Sequence, residues 1–144
     1  MIEKIKYKKK FLAIIVKFKK KRGRGVNFIS PKKFTQQVGF ISQPINHIIE
    51  PHTHNNFARK INKTSEVLII QKGLLRVDFY ISKNKYLFSK LLKKGDIIIL
   101  NDGSHGFKML KNCSLIEIKQ GPYYKSSDKT RFKKIDEKKI KIKK

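Results

Sequence analysis

The stretch LLRVDFYI, residues 74–81, alternates between two faces: Leu75, Val77, Phe79 and Ile81 fall on one, and Leu74, Arg76, Asp78 and Tyr80 on the other. Side chains of an extended chain point to opposite sides in turn, so the pattern predicts a strand with one buried and one wet face. Similar runs surround it. EVLIIQKG (66–73) ends in a Lys72-Gly73 turn, KYLFSKLL (85–92) follows the polar break SKNK, and DIIIL (96–100) follows Lys94-Gly95. An uninterrupted apolar run such as DIIIL fits a strand covered on both faces. After the turn-rich loop NDGSHG (101–106), FKML and SLIEIK (114–119) add two short strands. FLAIIVKF, GVNFI, QQVGFIS and INHIIE read as strands upstream, punctuated by Pro31, Pro44 and glycines. Helical periodicity is scarce. Roughly ten short strands between turn signals predict an all-β sandwich or barrel.

At 144 residues the chain is expected to build one principal domain around a single core. One cysteine, Cys113, excludes an internal disulfide framework, and no paired cysteines suggest a thiolate metal site. The apolar run FLAIIV (11–16) is too short to span a bilayer and shorter than the apolar region of a secretory signal. A cytoplasmic protein without a membrane span is the expectation.

The formal net charge is +26, and most of the excess sits at the ends: residues 1–24 carry +10 and residues 125–144 carry +7. Charge of this size can be an electrostatic footprint for nucleic acid or an anionic surface. It can equally be a compositional habit, since Lys greatly outnumbers the five arginines. Specific nucleic-acid binders add arginines, stacking aromatics or a recognition helix, and none is evident. No specific nucleic-acid partner is therefore expected. The charge distribution suggests a basic, partly strand-forming segment over 1–24, a β domain over 25–124, and a basic, frayed tail over 125–144.

Four histidines are present, two of them in PHTHNN (51–56). His52 and His54 are two residues apart, so on a strand both imidazoles leave the same face and can ligate one ion. Glu66 then opens an apolar strand, and His105 follows DIIIL. Imidazole and carboxylate suit a first-row divalent metal such as Fe, Mn, Ni, Cu or Zn, without choosing among them. The competing reading is a metal-free pocket lined by the same polar groups. Glu50 and Glu117 are alternative carboxylates, and His47 in INHIIE reads as an exposed strand residue.

The order of these residues resembles the cupin superfamily, whose first motif is G-x5-HxH-x3,4-E-x6-G and whose second is G-x5-PxG-x2-H-x3-N. His52-Thr53-His54 matches HxH, and Glu66 with Gly73 matches E-x6-G. Gly95, DIIIL and Asn101-Asp102-Gly103 match the start of the second motif, with Asn in place of Pro. Three features depart from it. Eleven residues separate His54 from Glu66, His105 falls two residues after Gly103, and the closing Asn is absent from GFKML. The long gap is compatible with a hairpin lengthened equally on both arms, which keeps His54 across from Glu66, or with an irregular loop. The runs TSEVL, RVDFY, GDIIIL and QGPYYKSSDKTRF, with Gln36, Gln37 and Gly39, are similar to those of a group of small bacterial cupins.

The resemblance implies a cupin-type double-stranded β-helix, a jelly-roll barrel with short N-terminal strands, spanning residues 36–120. It implies a divalent metal held by His52, His54, Glu66 and His105. Cupins of this group often occur among genes for nucleotide sugars and surface polysaccharides. The implied activity is isomerisation or epimerisation of a sugar or nucleotide sugar, and the implied assembly a homodimer through N-terminal strands. A non-catalytic sugar- or anion-binding module and a polyanion-associated protein using the basic ends are the rival readings. For the substrate contacts, arginine forms bidentate bonds to carboxylate or phosphate that lysine cannot. Arg59 is the first candidate, with Arg76 and Arg131 beside it; an internal ion pair is the alternative role. Tyr123 and Tyr124 can cap the pocket or pack the last strand. Cys113 reads as a small core or turn residue.

Overall fold

The computed structural model describes residues 1–18, 23–124 and 128–144. Its strands are β1 (Ile2–Tyr7), β2 (Lys10–Val16), β3 (Gly25–Phe28), β4 (Gly39–Ser42) and β5 (Glu66–Lys72), then β6 (Leu74–Ser82), β7 (Lys85–Lys93), β8 (Ile97–Leu100), β9 (Ser104–Met109) and β10 (Ser114–Lys119). One 3-10 turn follows at Glu137–Lys139. The all-β expectation holds, and the segments read as strands from residue 66 onward become β5 to β10 in order. Among the described residues no helix is long and apolar enough to cross a membrane.

The chain divides into two compact units, one of Met1–Phe18 with Thr64–Lys144 and the other of Lys19–Lys63. These bounds differ from those suggested by charge. Residues 1–18 fall with the large unit because β2 lies inside a sheet, hydrogen-bonded between β1 and β8.

In the large unit, five strands pair antiparallel in the order β1-β2-β8-β5-β10 and three in the order β7-β6-β9. Both sheets are open, with β1 and β10 as edges of one and β7 and β9 as edges of the other. Their facing sides share one apolar cluster: Leu12, Ile15, Leu68, Ile70 and Ile98 from the larger sheet meet Leu75, Val77, Phe79 and Leu92 from the smaller. Burying each such side chain contributes about 1.5–3 kcal/mol, which holds the sheets face to face. The turn at Gly73 joins β5 to β6 at φ +90°, and a Cβ there would sit 2.3 Å from the Asn112 carbonyl oxygen. Only glycine fits both conditions.

The smaller unit contains the antiparallel pair β3–β4. Residues 43–65 form no strand, so INHIIE is not one. The Pro44 carbonyl accepts from the His47 N–H at 3.3 Å, and Asn46 adopts φ 65°, which turns the chain where the apolar pattern suggested extension.

Two expectations about polar surfaces change. Arg76, Asp78 and Tyr80 were expected on the wet face of β6, yet all three are buried. What covers them is the C-terminal segment, which was expected to fray. The Ser89 N–H donates to the Lys141 carbonyl at 2.8 Å, and the Lys143 N–H donates to the Ser89 carbonyl at 2.9 Å. Arg76 donates to both Glu137 oxygens, at 2.7 and 3.2 Å. The segment has little apolar surface, so composition pointed to fraying; backbone hydrogen bonds and an ion pair hold it instead. Residues 125–127 of the expected tail lie outside the described residues.

Candidate functional site

Glu66 opens β5 with Leu100 of β8 as its neighbour on one side and Lys119 of β10 on the other. Leu100 faces the core, and side chains of paired residues share a face, so the Glu66 carboxylate enters the space between the sheets. His105 was expected in a loop but lies on β9, opposite Phe79 of β6, whose ring is also in the core. Gly103 sets that register: at φ +76° it ends the β8–β9 turn, and a Cβ there would stand 2.8 Å from the Tyr80 carbonyl oxygen. Two strands in different sheets thus bring Glu66 Oε2 and His105 Nε2 to 3.0 Å.

Glu66 is only 6% exposed. The contact with His105 holds its carboxyl below the ordinary carboxylate range; burial opposes this, and the charges of His105, Lys129 and Lys119 assist it. Among the described residues, this contact is the one polar partner of Oε2. Lys129 Nζ lies 3.7 Å from the other oxygen, Oε1, and 3.9 Å from Glu117 on β10. Lys119 pairs with Asp128 at 2.6 Å. Gln120 Oε1 accepts from the Ser65 N–H at 2.7 Å, while its buried Nε2 has no partner among the described residues. Among the described residues the cluster therefore holds one orphaned buried donor, Gln120 Nε2. Such atoms cost about 1–3 kcal/mol each unless water, an ion or a ligand satisfies them.

Sequence reasoning did not single out Lys129, Gln120 or Asp128. They lie just beyond β10, in and around QGPYYKSSDKTRF, where only the resemblance drew notice to the segment. A polar run after the last strand carries no periodic signal that would aim its side chains at Glu66.

The other candidates are distributed differently. His52 and His54 belong to the smaller unit and lie on no strand, so the same-face argument does not apply to them. Their exposed rings meet edge-to-face, with centroids 5.2 Å apart, and His52 Nδ1 lies 2.9 Å from the Glu50 carbonyl oxygen. The eleven residues after His54 form an irregular segment rather than a lengthened hairpin. Arg59 is exposed and stacks on Phe57, its guanidinium carbon 3.6 Å from the ring centroid. Arg76 is committed to Asp78 and Glu137 on the outer face of the three-stranded sheet, away from Glu66 and His105. Its role is the internal ion pair. Tyr123 and Tyr124 are exposed, with Lys119 Nζ 4.3 Å from the Tyr123 ring centroid. Cys113 packs against the core as a turn residue.

Among the described residues, no three or more His, Cys, Asp or Glu side chains gather as a metal-ligating group. No family model, no curated protein and no solved structure matches the chain.

Proposed function

We propose that the chain is a cupin-type metal-binding protein of the cytoplasm that isomerises or epimerises a sugar or nucleotide sugar in surface-polysaccharide synthesis. The observation that carries the reading is the Glu66–His105 pair, turned inward from two sheets with Oε2 3.0 Å from Nε2. Carboxylate oxygen and imidazole nitrogen are both ligands of first-row divalent metals, so the pair fits as half of a ligand set. On motif order, the reading also takes His52 and His54 as metal ligands. It also takes the two-sheet architecture as a jelly roll.

When bound, the ion would polarise a carbonyl or hydroxyl of the substrate. Glu66 stays anionic at neutral pH, the form in which a carboxylate can hold a metal ion. Arg59 remains the candidate contact for a substrate anion, with its charge exposed over Phe57. Metal content of purified protein, measured beside a His52→Ala/His54→Ala variant, tests the assignment. Stoichiometric metal that the variant loses supports it; equal, negligible metal in both removes it.

A second reading is a non-catalytic, metal-free module that holds a small sugar or anion. Lys129 favours it, since an ammonium 3.7 Å from Glu66 Oε1 already supplies a cation there. Conversion of any member of a nucleotide-sugar panel supports the enzyme; binding without conversion across the panel supports the module.

A further inference from the structure

The outer face of the three-stranded sheet carries a cavity of about 650 Å³, between the β6–β7 turn and the C-terminal segment. Lys83 and Asn84 line it from the turn, Tyr86 from β7, and Lys133, Lys134 and Lys139 from the C-terminal segment. Its walls are tied independently of any ligand. The Ile135 N–H donates to the Tyr80 hydroxyl at 3.2 Å, and the Lys141 N–H donates to the Tyr86 hydroxyl at 3.0 Å. Arg76 fixes Glu137 between them.

The charge of the lining is unbalanced. Glu137 is matched by Arg76 and by Lys108 at 3.0 Å, while the Asp136 carboxylate, which among the described residues accepts only the Lys138 N–H at 3.0 Å, offsets one of the lysines. Among the described residues none of Lys83, Lys133, Lys134 and Lys139 has an ion-pair partner. Like charges around one concavity repel one another and focus a positive potential into it. An anion placed there relieves the repulsion and meets several ammonium donors together. The volume falls within the range of small-molecule sites, about 300–1,000 Å³.

We infer that this cavity binds a compact polyanion of the di- or triphosphate class, at a site separate from Glu66 and His105. Four ammonium groups match the several charges of an oligophosphate better than the single charge of a carboxylate. Long nucleic acid is a different partner, which would engage the basic ends diffusely.

Calorimetric titration of the full chain with inorganic tripolyphosphate tests the inference. The expected result is saturable one-to-one binding, weakened at least about ten-fold by Lys133→Glu/Lys134→Glu. Lys83→Gln/Lys139→Gln should weaken it in the same direction without reversing charge, and circular dichroism reports whether each variant is folded. The control is Lys32→Glu/Lys33→Glu, an equal charge change in the other unit, which should leave the affinity unchanged. Equal weakening by the control, or multiple sites without saturation, means diffuse charge attraction and overturns the inference. So does a folded Lys83→Gln/Lys139→Gln protein that binds as the wild type does.

Discussion

Glu66 Oε2 and His105 Nε2 stand 3.0 Å apart although their strands, β5 and β9, belong to different sheets. The pair links the two layers at a buried point where apolar packing gives way to charge. Its pH behaviour follows from the direction of the Glu66 shift. A carboxyl held below its ordinary value of 4.5 adds stability that is present above that value and is lost as pH falls through the lowered one. Thermal unfolding of wild type and Glu66→Gln, compared from pH 7 downward, should show a wild-type advantage that shrinks only below the ordinary carboxylate range. An advantage independent of pH would mean that Glu66 acts through packing alone.

Arg76→Ala should destabilise the protein by about 3 kcal/mol or more, because it leaves the buried Asp78 carboxylate without its cation. Denaturant midpoints measure this. Arg76→Met with Asp78→Leu, which removes both charges, should recover much of the loss. A double variant as unstable as Arg76→Ala would show that the pair is not the source.

Glu137 is held down to about 2 by Arg76 first and then by Lys108. Its stabilising effect should therefore persist as pH falls past 4.5 and vanish near 2. The reporters are hydrogen exchange at the Ser89 and Lys143 amides, which the docked C-terminal segment protects. Glu137→Gln should speed their exchange at neutral pH. Unchanged exchange would assign the docking to the backbone bonds alone.

Gly73→Ala should cost more than about 1 kcal/mol, since positive φ and the Asn112 carbonyl both oppose a Cβ. Gly121→Ala, with nothing within 4 Å of the added Cβ, is the matched control. Comparable melting temperatures for the two variants would contradict the steric account.

The strands from Glu66 to Lys119 were legible in the sequence because their signals are local: alternation, apolar runs, and turns at Gly73, Gly95 and Gly103. That Glu66 opens an apolar strand was legible as well, but not the face its carboxylate takes. INHIIE was misread because one positive-φ residue, Asn46, outweighs an apolar pattern without leaving a periodic trace.

What the sequence determined by itself is thus the class of the fold and the strands from Glu66 to Lys119, since period-two patterning and turn chemistry act over a few residues. Tertiary structure alone decided which strands became edges, that β9 carries His105 to Glu66, and that Lys129 and Gln120 complete the cluster. It also decided that the charged face of β6 is buried under residues 128–144. Those outcomes depend on ion pairs and hydrogen bonds between distant residues, Arg76 with Glu137 and Ser89 with Lys141, and such partners leave no mark in the local pattern of either segment.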